Sequence, residues 1–591
     1  MKTSRRDFLR LGTVVVAASA IPSLVACKSS SDPSVSDAAF PQGLGSGDPK
    51  PTRVMLWSRV EPAGVGQTAL GTIAVTFLVA IDEALTHVVA QGTVSATPEA
   101  DHTVRVGVDG LAPGTQYFYR FGVGDRTTRV GRTKTAPTAE SDAPVTFAFA
   151  SCQDFIGRYY HAWQALLDER ADLDFVLFLG DYIYETTGDP SFQTPTADRS
   201  VALPDGLDIS EAQDRSVLAA FTLADYRALY KAYRSDASLK EVHRLYPFVS
   251  IWDDHEFSDD AWQDHSTYFN ERDPKTGAAT DEKNTPRRVA ASQAWYEYTP
   301  IDTGFDGTKD FSDQIRIWRN LRFGKHVDLF LTDERLYRAD HLIPEGPLDM
   351  NVGKISLNAS AGSRYLVVKS TFDDRELAAK PSMLGATQKE WFLGAVKASN
   401  ATWKVWGNEV QLWQMVLDLS PFAQLPASLR RRFYYDVDQW DGFRSERAAI
   451  LGALAGSSNL VACTGDIHAF FAAELYVDFD TPATRAGVEF VTAGISSLSA
   501  YKIVQKTVND NLVLRGAGLD TVVPQFDTAL FGSNPHLKHA QSDANGLAIA
   551  RVSASAFEVT FLGVSDVTNL AYGGVLKRTT LRTMSGSNLI A

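Results

Sequence analysis

Sulfur is scarce in this 591-residue chain, which has 3 cysteines and 6 methionines. The cysteines, Cys27, Cys152 and Cys463, lie at unrelated positions, and the last two sit inside apolar strand-like runs. A disulfide framework is therefore excluded as the organiser of the fold. Positive charge is also short: 57 Lys and Arg face 71 Asp and Glu, a net charge of -14. That excludes a general binder of phosphate backbones, and stable nucleic-acid binding with it, because such binding rests on cationic surface. Any phosphate chemistry would need local positive charge, most economically from metal ions. No internal repeat and no long low-complexity segment is present, which excludes solenoid architectures. After the first 27 residues no apolar run is long enough to span a bilayer. What remains, 44% hydrophobic and 22% charged residues, is the make-up of a globular chain long enough for more than one domain.

The N-terminus, MKTSRRDFLRLGTVVVAASAIPSLVAC, sets Arg5 and Arg6 before Phe8 and Leu9, then a modest apolar stretch ending in small residues. Residues 1–27 read as a cleaved export signal of the twin-arginine kind, and Leu24 to Cys27 as a lipoprotein cleavage box. The expectations are passage through the twin-arginine export machinery, lipidation at Cys27, a periplasmic or cell-surface location, and membrane contact through that lipid alone. Because this route carries folded proteins, it also hints at a cofactor loaded before export. Residues 28–38, rich in Ser, Asp and Pro, read as a tether.

Residues 39–138 read as a β-sandwich of short alternating strands such as VMLWSRV and TIAVTFLVAI, separated by Gly, Pro and Asp turns. The pattern Leu-x-Pro-x-Thr-x-Tyr-x-Tyr around Tyr117 resembles a fibronectin type III corner, in which a tyrosine hydroxyl bonds back to the chain. From residue 143 to 591 apolar runs alternate with helical periodicity, the signature of an α/β domain.

Within that domain several apolar runs end abruptly in metal-ligand residue types. VTFAFASCQD ends in Cys152, FVLFLGDYIYE in Asp181 and Tyr184, and FVSIWDDHE in Asp253, Asp254, His255 and Glu256. WKVWGNEV ends in Asn408, and NLVACTGDIH in Asp466 and His468. Carboxyl ends of strands in α/β sheets are where loops converge on a site. Taken singly, each residue has an ordinary structural reading; five such endings together predict one shared metal cluster.

SCQ, GDYIYE, WDDHE, GNEV and GDIH, in that order and behind the GSGDP…VMLWSRV domain, resemble the PhoD-type alkaline phosphatase and phosphodiesterase family of the calcineurin-like metallophosphatases. The resemblance covers nearly the whole chain after the leader. It implies a fibronectin-III-like sandwich followed by an αββα metallophosphatase sandwich. It also implies a ferric ion on Cys152, Asp181, Tyr184 and His468, with Asp181 bridging to one or two calcium ions on Asp254, Asn408 and Asp466. Asp253 and Glu256 would be further ligands or supports for the ligands. The family often has asparagines after WDDHE, whereas this chain has Asp259 and Asp260.

The chemistry so implied is hydrolysis of phosphate mono- and diesters by a metal-activated hydroxide, with His255 giving a proton to the leaving oxygen or orienting phosphate. Phospholipase-D-like action on lipids is the alternative within the enzyme class. A surface-tethered binding protein with an inert phosphatase-like domain is the alternative outside it, opposed by the presence of every ligand. Arg335 and Arg338 in DERLYR read as phosphate contacts or, preferably, as structural ion pairs. QWDGF (Gln439 to Phe443) and NPHLKHAQSD (Asn534 to Asp543) read as pocket rims.

Overall fold

The computed structural model describes residues 14–16, 34–190, 192–210, 217–269, 282–343 and 364–591. Cys27 and most of the leader and tether lie outside the described residues. Within the leader, Val14–Val16 forms a short strand parallel to Thr103–Asp109.

Two sheets face each other in the second part of the chain. In the first, β1 (Val145–Ala150), β2 (Phe175–Leu179) and β3 (Pro247–Ile251) run parallel, with β2 in the middle. Strands Gly546–Val552, Ala556–Val564 and Val575–Met584 extend it antiparallel on the β1 side. In the second, Val327–Leu331, β4 (Trp403–Asn408), β5 (Leu460–Thr464) and Arg485–Val491 are parallel neighbours. β2 consists of five fully buried residues, Phe-Val-Leu-Phe-Leu. Such continuous apolar runs are what parallel strands covered on both faces require. Aromatic rings join the sheets: Phe175 stacks on Phe147 at 4.8 Å and on Phe323 of the second sheet at 4.3 Å. Helices His161–Glu169, Leu223–Tyr233, Ala237–Leu245 and Thr285–Tyr298 pack their apolar faces into the same core as the first sheet. Gly385–Ala398 and Arg444–Leu454 contribute to a second core with residues of β4 and β5. This is the expected αββα sandwich. The periodic stretch from Leu223 to Tyr246 is two helices because Asp236 accepts from Leu239 N–H at 3.0 Å and starts the second.

The N-terminal sandwich is present, and Tyr117 makes the expected corner, its hydroxyl accepting from Ala112 N–H at 2.8 Å. Its separateness is less than expected. Strands Leu44–Lys50, Arg53–Arg59 and Thr103–Asp109 continue the first catalytic sheet, with Ser46 and Gly47 paired to Pro247 and Phe248 of β3. Trp57 then donates to the Glu297 carbonyl at 2.7 Å, and Arg319 forms an ion pair with Asp48 at 2.7 Å. No helix among the described residues is long and apolar enough to cross a membrane.

Buried histidines give this fold an acid limit. His536 donates through Nε2 to the Gln414 carbonyl (2.8 Å) and packs on Phe479, and burial lowers its pKa to about 4. An unfolded chain titrates near 6.5, so the unfolded state takes the proton first as pH falls. The contribution is complete above about pH 6.5 and is lost between there and about pH 4. His536→Gln should flatten this acid limb, read as a smaller drop in urea midpoint between pH 7 and pH 5 than in the wild type.

Candidate metal centre

The parallel strands of both sheets deliver their carboxyl ends to one crevice. At three of those ends the chain turns through left-handed backbone at non-glycine residues: Cys152 (φ 58°), Asp181 (φ 57°), and Asp466 with His468 (φ 64° and 54°). Each such residue costs about 1–3 kcal/mol and persists only where its surroundings enforce it. The surroundings do so here: Cys152 N–H donates to the Gly180 carbonyl (3.2 Å), Gln153 N–H to Asp181 (3.0 Å), and Gly465 N–H to Glu409 (3.2 Å). Gly180 has φ 100°, and a Cβ there would lie 2.4 Å from the Asp253 Cβ. Only glycine lets the β2 and β3 ends approach this closely, which is why the apolar run of β2 stops at Gly180-Asp181.

Asp181 is shared by three groups of potential ligands whose donor atoms lie within 4.8 Å of one another. They are Cys152 with His468, Asp254 with His255, and the carboxylates of Asp253, Asp254 and Asp466. The Tyr184 hydroxyl donates to Asp181 Oδ2 at 3.1 Å, lies 3.0 Å from His468 Nε2, and accepts from Ser497 Oγ at 2.7 Å. His468 Nδ1 donates to the Leu498 carbonyl (2.8 Å), so Nε2 carries the lone pair that faces the cluster. Burial lowers its pKa to about 4, keeping it neutral.

The donors fit a cation. Asp181 Oδ1, Asp253 Oδ2 and Asp254 Oδ1 are buried without a hydrogen-bond partner, an arrangement too costly to persist without a cation among them. Burial, then the charges of Asp181 and Asp466, push the Cys152 thiol well above its ordinary value. Burial and the charges of Asp181 and Cys152 do the same to the Tyr184 phenol. Neither group would ionise here unless a cation compensated it.

Other side chains hold these donors in place. Glu256 accepts from the backbone N–H groups of Asp181 (2.9 Å), Tyr182 (2.7 Å) and Asp253 (2.8 Å), clamping two strand ends together. His255 Nδ1 lies 2.7 Å from Glu185 Oε2, and its ring packs on Tyr184 at 4.1 Å. Burial opposes a charge on His255, but Asp254, Glu185 and Asp181 overcome it and hold its pKa well above the usual value. Asp254 Oδ2 accepts from Asp260 N–H at 2.5 Å and, with Asp259 and Asp260, forms a further acidic group.

One expectation changes, and of the two readings of Arg335 the structure shows the ion pairs. Asn408, expected as a ligand, has its amide engaged elsewhere: Nδ2 donates to Thr464 Oγ1 (3.0 Å) and the Val410 carbonyl, and Oδ1 accepts from the Trp440 indole (3.1 Å). It ties β4 to β5 and to the 440 segment. Arg335 is the centre of a buried ion-pair network rather than a free phosphate contact. Its Nε bonds Asp253 (2.5 Å), its Nη1 bonds both oxygens of Asp438 (3.1 and 2.8 Å), and Nη2, without a hydrogen bond, lies 3.8 Å from both Asp254 and Asp466. Arg338 pairs with the same Asp438 at 3.0 Å.

Several residues brought to the site were not anticipated as parts of it. Asp438 receives Arg335, Arg338 and His341, the last at 2.5 Å, and Arg364 reaches Asp260 at 2.8 Å. Gln439 of the rim segment donates to Asp466. Glu185 stood in the FVLFLGDYIYE run, but Ser497, in GISSLSA, carries no local sign that its hydroxyl reaches a tyrosine more than 300 residues earlier.

Comparisons with known proteins place the chain in a family. Residues 147–561 match the model of the PhoD-like phosphatase, and residues 26–137 match that of the PhoD-like phosphatase N-terminal domain. Alkaline phosphatase D of Bacillus subtilis (strain 168) is 31% identical over 473 residues, 79% of this chain and 70% of that protein. A solved structure of PhoD superposes with a TM-score of 0.70 and 25% identity, covering 96% of this chain and 93% of the other. The chain belongs to the PhoD-like phosphatase family and is a phosphoric ester hydrolase.

Proposed function

We propose that this chain is an exported, metal-dependent alkaline phosphatase and phosphodiesterase. The observation that carries the reading is the place of Asp181 between two chemically different donor sets. On one side stand a thiol, a phenol and the neutral Nε2 of His468, donors suited to a ferric ion. On the other stand the hard oxygens of Asp253, Asp254 and Asp466, suited to calcium. When bound, such ions supply Lewis-acid polarisation of phosphate oxygens and a lowered pKa for water.

The chain's own residues then have separate tasks. Glu185 fixes the His255 ring through Nδ1, leaving Nε2, 3.5 Å from Asp259, as the proton-bearing atom nearest solvent. His255 delivers that proton to the leaving oxygen. The Arg335 network holds Asp253 and balances the acidic charge around it. Export and a lipid at Cys27 rest on the leader sequence.

The reading is tested by metal analysis of purified protein together with hydrolysis of p-nitrophenyl phosphate, bis-p-nitrophenyl phosphate and a phospholipid. Visible absorption from thiolate or phenolate to ferric charge transfer is expected, with hydrolysis of the first two at alkaline pH and added calcium. A colourless, iron-free, fully active enzyme rejects the iron; absence of hydrolysis after metal loading rejects the activity. His255→Asn should keep its metal content and lose about 10²-fold in kcat. The loss should be larger for an alkyl phosphate than for p-nitrophenyl phosphate, whose leaving group needs no proton.

A further inference from the structure

Residues 494–497 follow strand Arg485–Val491 of the second sheet and close on the end of β1 in the first. Gly494 pairs with Ser151, and Ile495 N–H donates to the Ser151 carbonyl at 3.0 Å. A Cβ at Gly494 would lie 3.2 Å from both the Cβ and the carbonyl oxygen of Cys152, so the approach leaves little room for a side chain. Ser496 Oγ donates to the Asp154 carbonyl (2.6 Å), and Asn545 Nδ2 holds the carbonyls of Gly494 (3.1 Å) and Ser497 (2.7 Å). A fixed backbone thus carries the Ser497 side chain to the metal centre.

The Ser497 hydroxyl has one proton and two acceptors within reach. Its Oγ lies 2.7 Å from the Tyr184 hydroxyl and 2.8 Å from the Cys152 carbonyl. The carbonyl is already met by the backbone N–H groups of Ser496 and Ser497, each at 3.3 Å. The Tyr184 oxygen has no other donor among the described residues: Asp181 Oδ2 at 3.1 Å and the Nε2 lone pair of His468 at 3.0 Å only accept. The proton therefore belongs on Tyr184. Asp154 N–H donates to Ser497 Oγ at 3.4 Å, so the bonds run in one direction, from Asp154 N–H through Oγ to the Tyr184 oxygen. Ser497 is 2% and Tyr184 6% exposed, so bulk water does not replace this bond.

We propose that Ser497 is a positioning residue of the metal centre: its hydroxyl aims the Tyr184 oxygen at the cluster and remains bonded to it when a cation is held there. Tyr184 donates its own proton toward Asp181. That proton leaves to solvent when the oxygen becomes a ligand, and the Ser497 bond is then the one hydrogen bond left on it. A hydrogen bond to an ionised acceptor is stronger than one to a neutral acceptor, so Ser497 strengthens Tyr184 as a ligand. The proposal rests on the metal reading above. It gives GISSLSA a task that involves no nucleophilic serine.

The test compares wild type, Ser497→Ala, Tyr184→Phe and the double variant, each as the full chain loaded with ferric iron and titrated with a chelator. Ser497→Ala removes one oxygen and no packing, so its melting temperature without metal should stay within a few degrees of wild type. It should release iron at about 10-fold lower chelator, the lower end of the usual cost of losing a side chain that supports a ligand. The part of the visible band that Tyr184→Phe abolishes should move to longer wavelength in Ser497→Ala, because a phenolate relieved of a hydrogen bond gives up an electron more easily. In the Tyr184→Phe background the serine change should add nothing, since its partner oxygen is gone. Equal iron retention in wild type and Ser497→Ala, or an unmoved band, overturns the proposal. So does a loss that persists in full in the Tyr184→Phe background, because Ser497 then acts by tying the Cys152 loop alone. A wild type that refuses iron but holds another metal rejects the ferric reading, and the same chelator comparison with that metal decides the role of Ser497. A wild type that binds no metal overturns both.

Discussion

Asp181→Asn should lower kcat/KM for both p-nitrophenyl esters by at least about 10³-fold, the upper range for loss of one electrostatic stabiliser. Asp181 is common to the group that holds Cys152 and His468 and to the two that hold Asp254, so the change removes an anion from both halves of the cluster at once. Asparagine keeps the volume and can still accept from Tyr184, which donates to Asp181 Oδ2 at 3.1 Å. The fold should therefore survive, with a melting temperature within a few degrees of wild type. On the two-site reading proposed above, metal content should fall at both sites, because each would lose a charged donor. A variant that kept full iron and calcium and lost only activity would show that Asp181 acts on substrate and does not join two sites. One that kept activity would remove the cluster from the mechanism.

Glu256→Ala should be the most destabilising single change near the site. The carboxylate accepts from three buried backbone N–H groups on the β2 and β3 ends, at 2.7 to 2.9 Å. Each donor left unpaired costs about 1–3 kcal/mol, so a loss of at least about 3 kcal/mol is expected, measured as a drop in urea midpoint. Activity should fall with it by about 10–100-fold, the usual cost of losing support for metal ligands. Glu256→Gln keeps one acceptor oxygen and should recover part of the stability. Burial raises the Glu256 carboxyl to about 8, while the three N–H groups favour its anion. Equal stability of wild type and Glu256→Ala would mean that the strand ends hold their left-handed turns without the clamp.

The candidate metal donors were legible in the sequence because each follows a short apolar run of the kind that buried parallel strands make. Cys152, Asp181, Asp466 and His468 could thus be placed at strand ends before any coordinates. Asn408 shows the limit of that logic: it ends a strand like the others, but its amide satisfies Trp440 and Thr464. A position at a strand end does not say where an amide points. Asp438, His341 and Arg364 were illegible for a different reason. They come from irregular segments, and a charge network joining residues about 100 positions apart leaves no periodicity in the chain. Likewise the helices Ala500–Asp510 and Phe526–Ser533 lie in a stretch punctuated by Gly, Ser and Asn. Their apolar residues, among them Ala500, Val504, Val508 and Leu530, pack into the cores of the second sheet system.

The pairing of Ser46 and Gly47 with Pro247 and Phe248 bears on how this protein can be divided. Without its first 138 residues, the remainder would present β3 as a bare lateral edge, a row of open N–H and C=O groups that invites another chain to add to it. The N-terminal sandwich thus works as a built-in cover against self-association as well as a neighbouring module. Cutting the chain between residues 138 and 143 would leave both parts docked, whereas synthesis of residues 143–591 alone would yield aggregate. The boundary visible in the sequence is a place where the chain can be cut, and not a place where the protein can be separated.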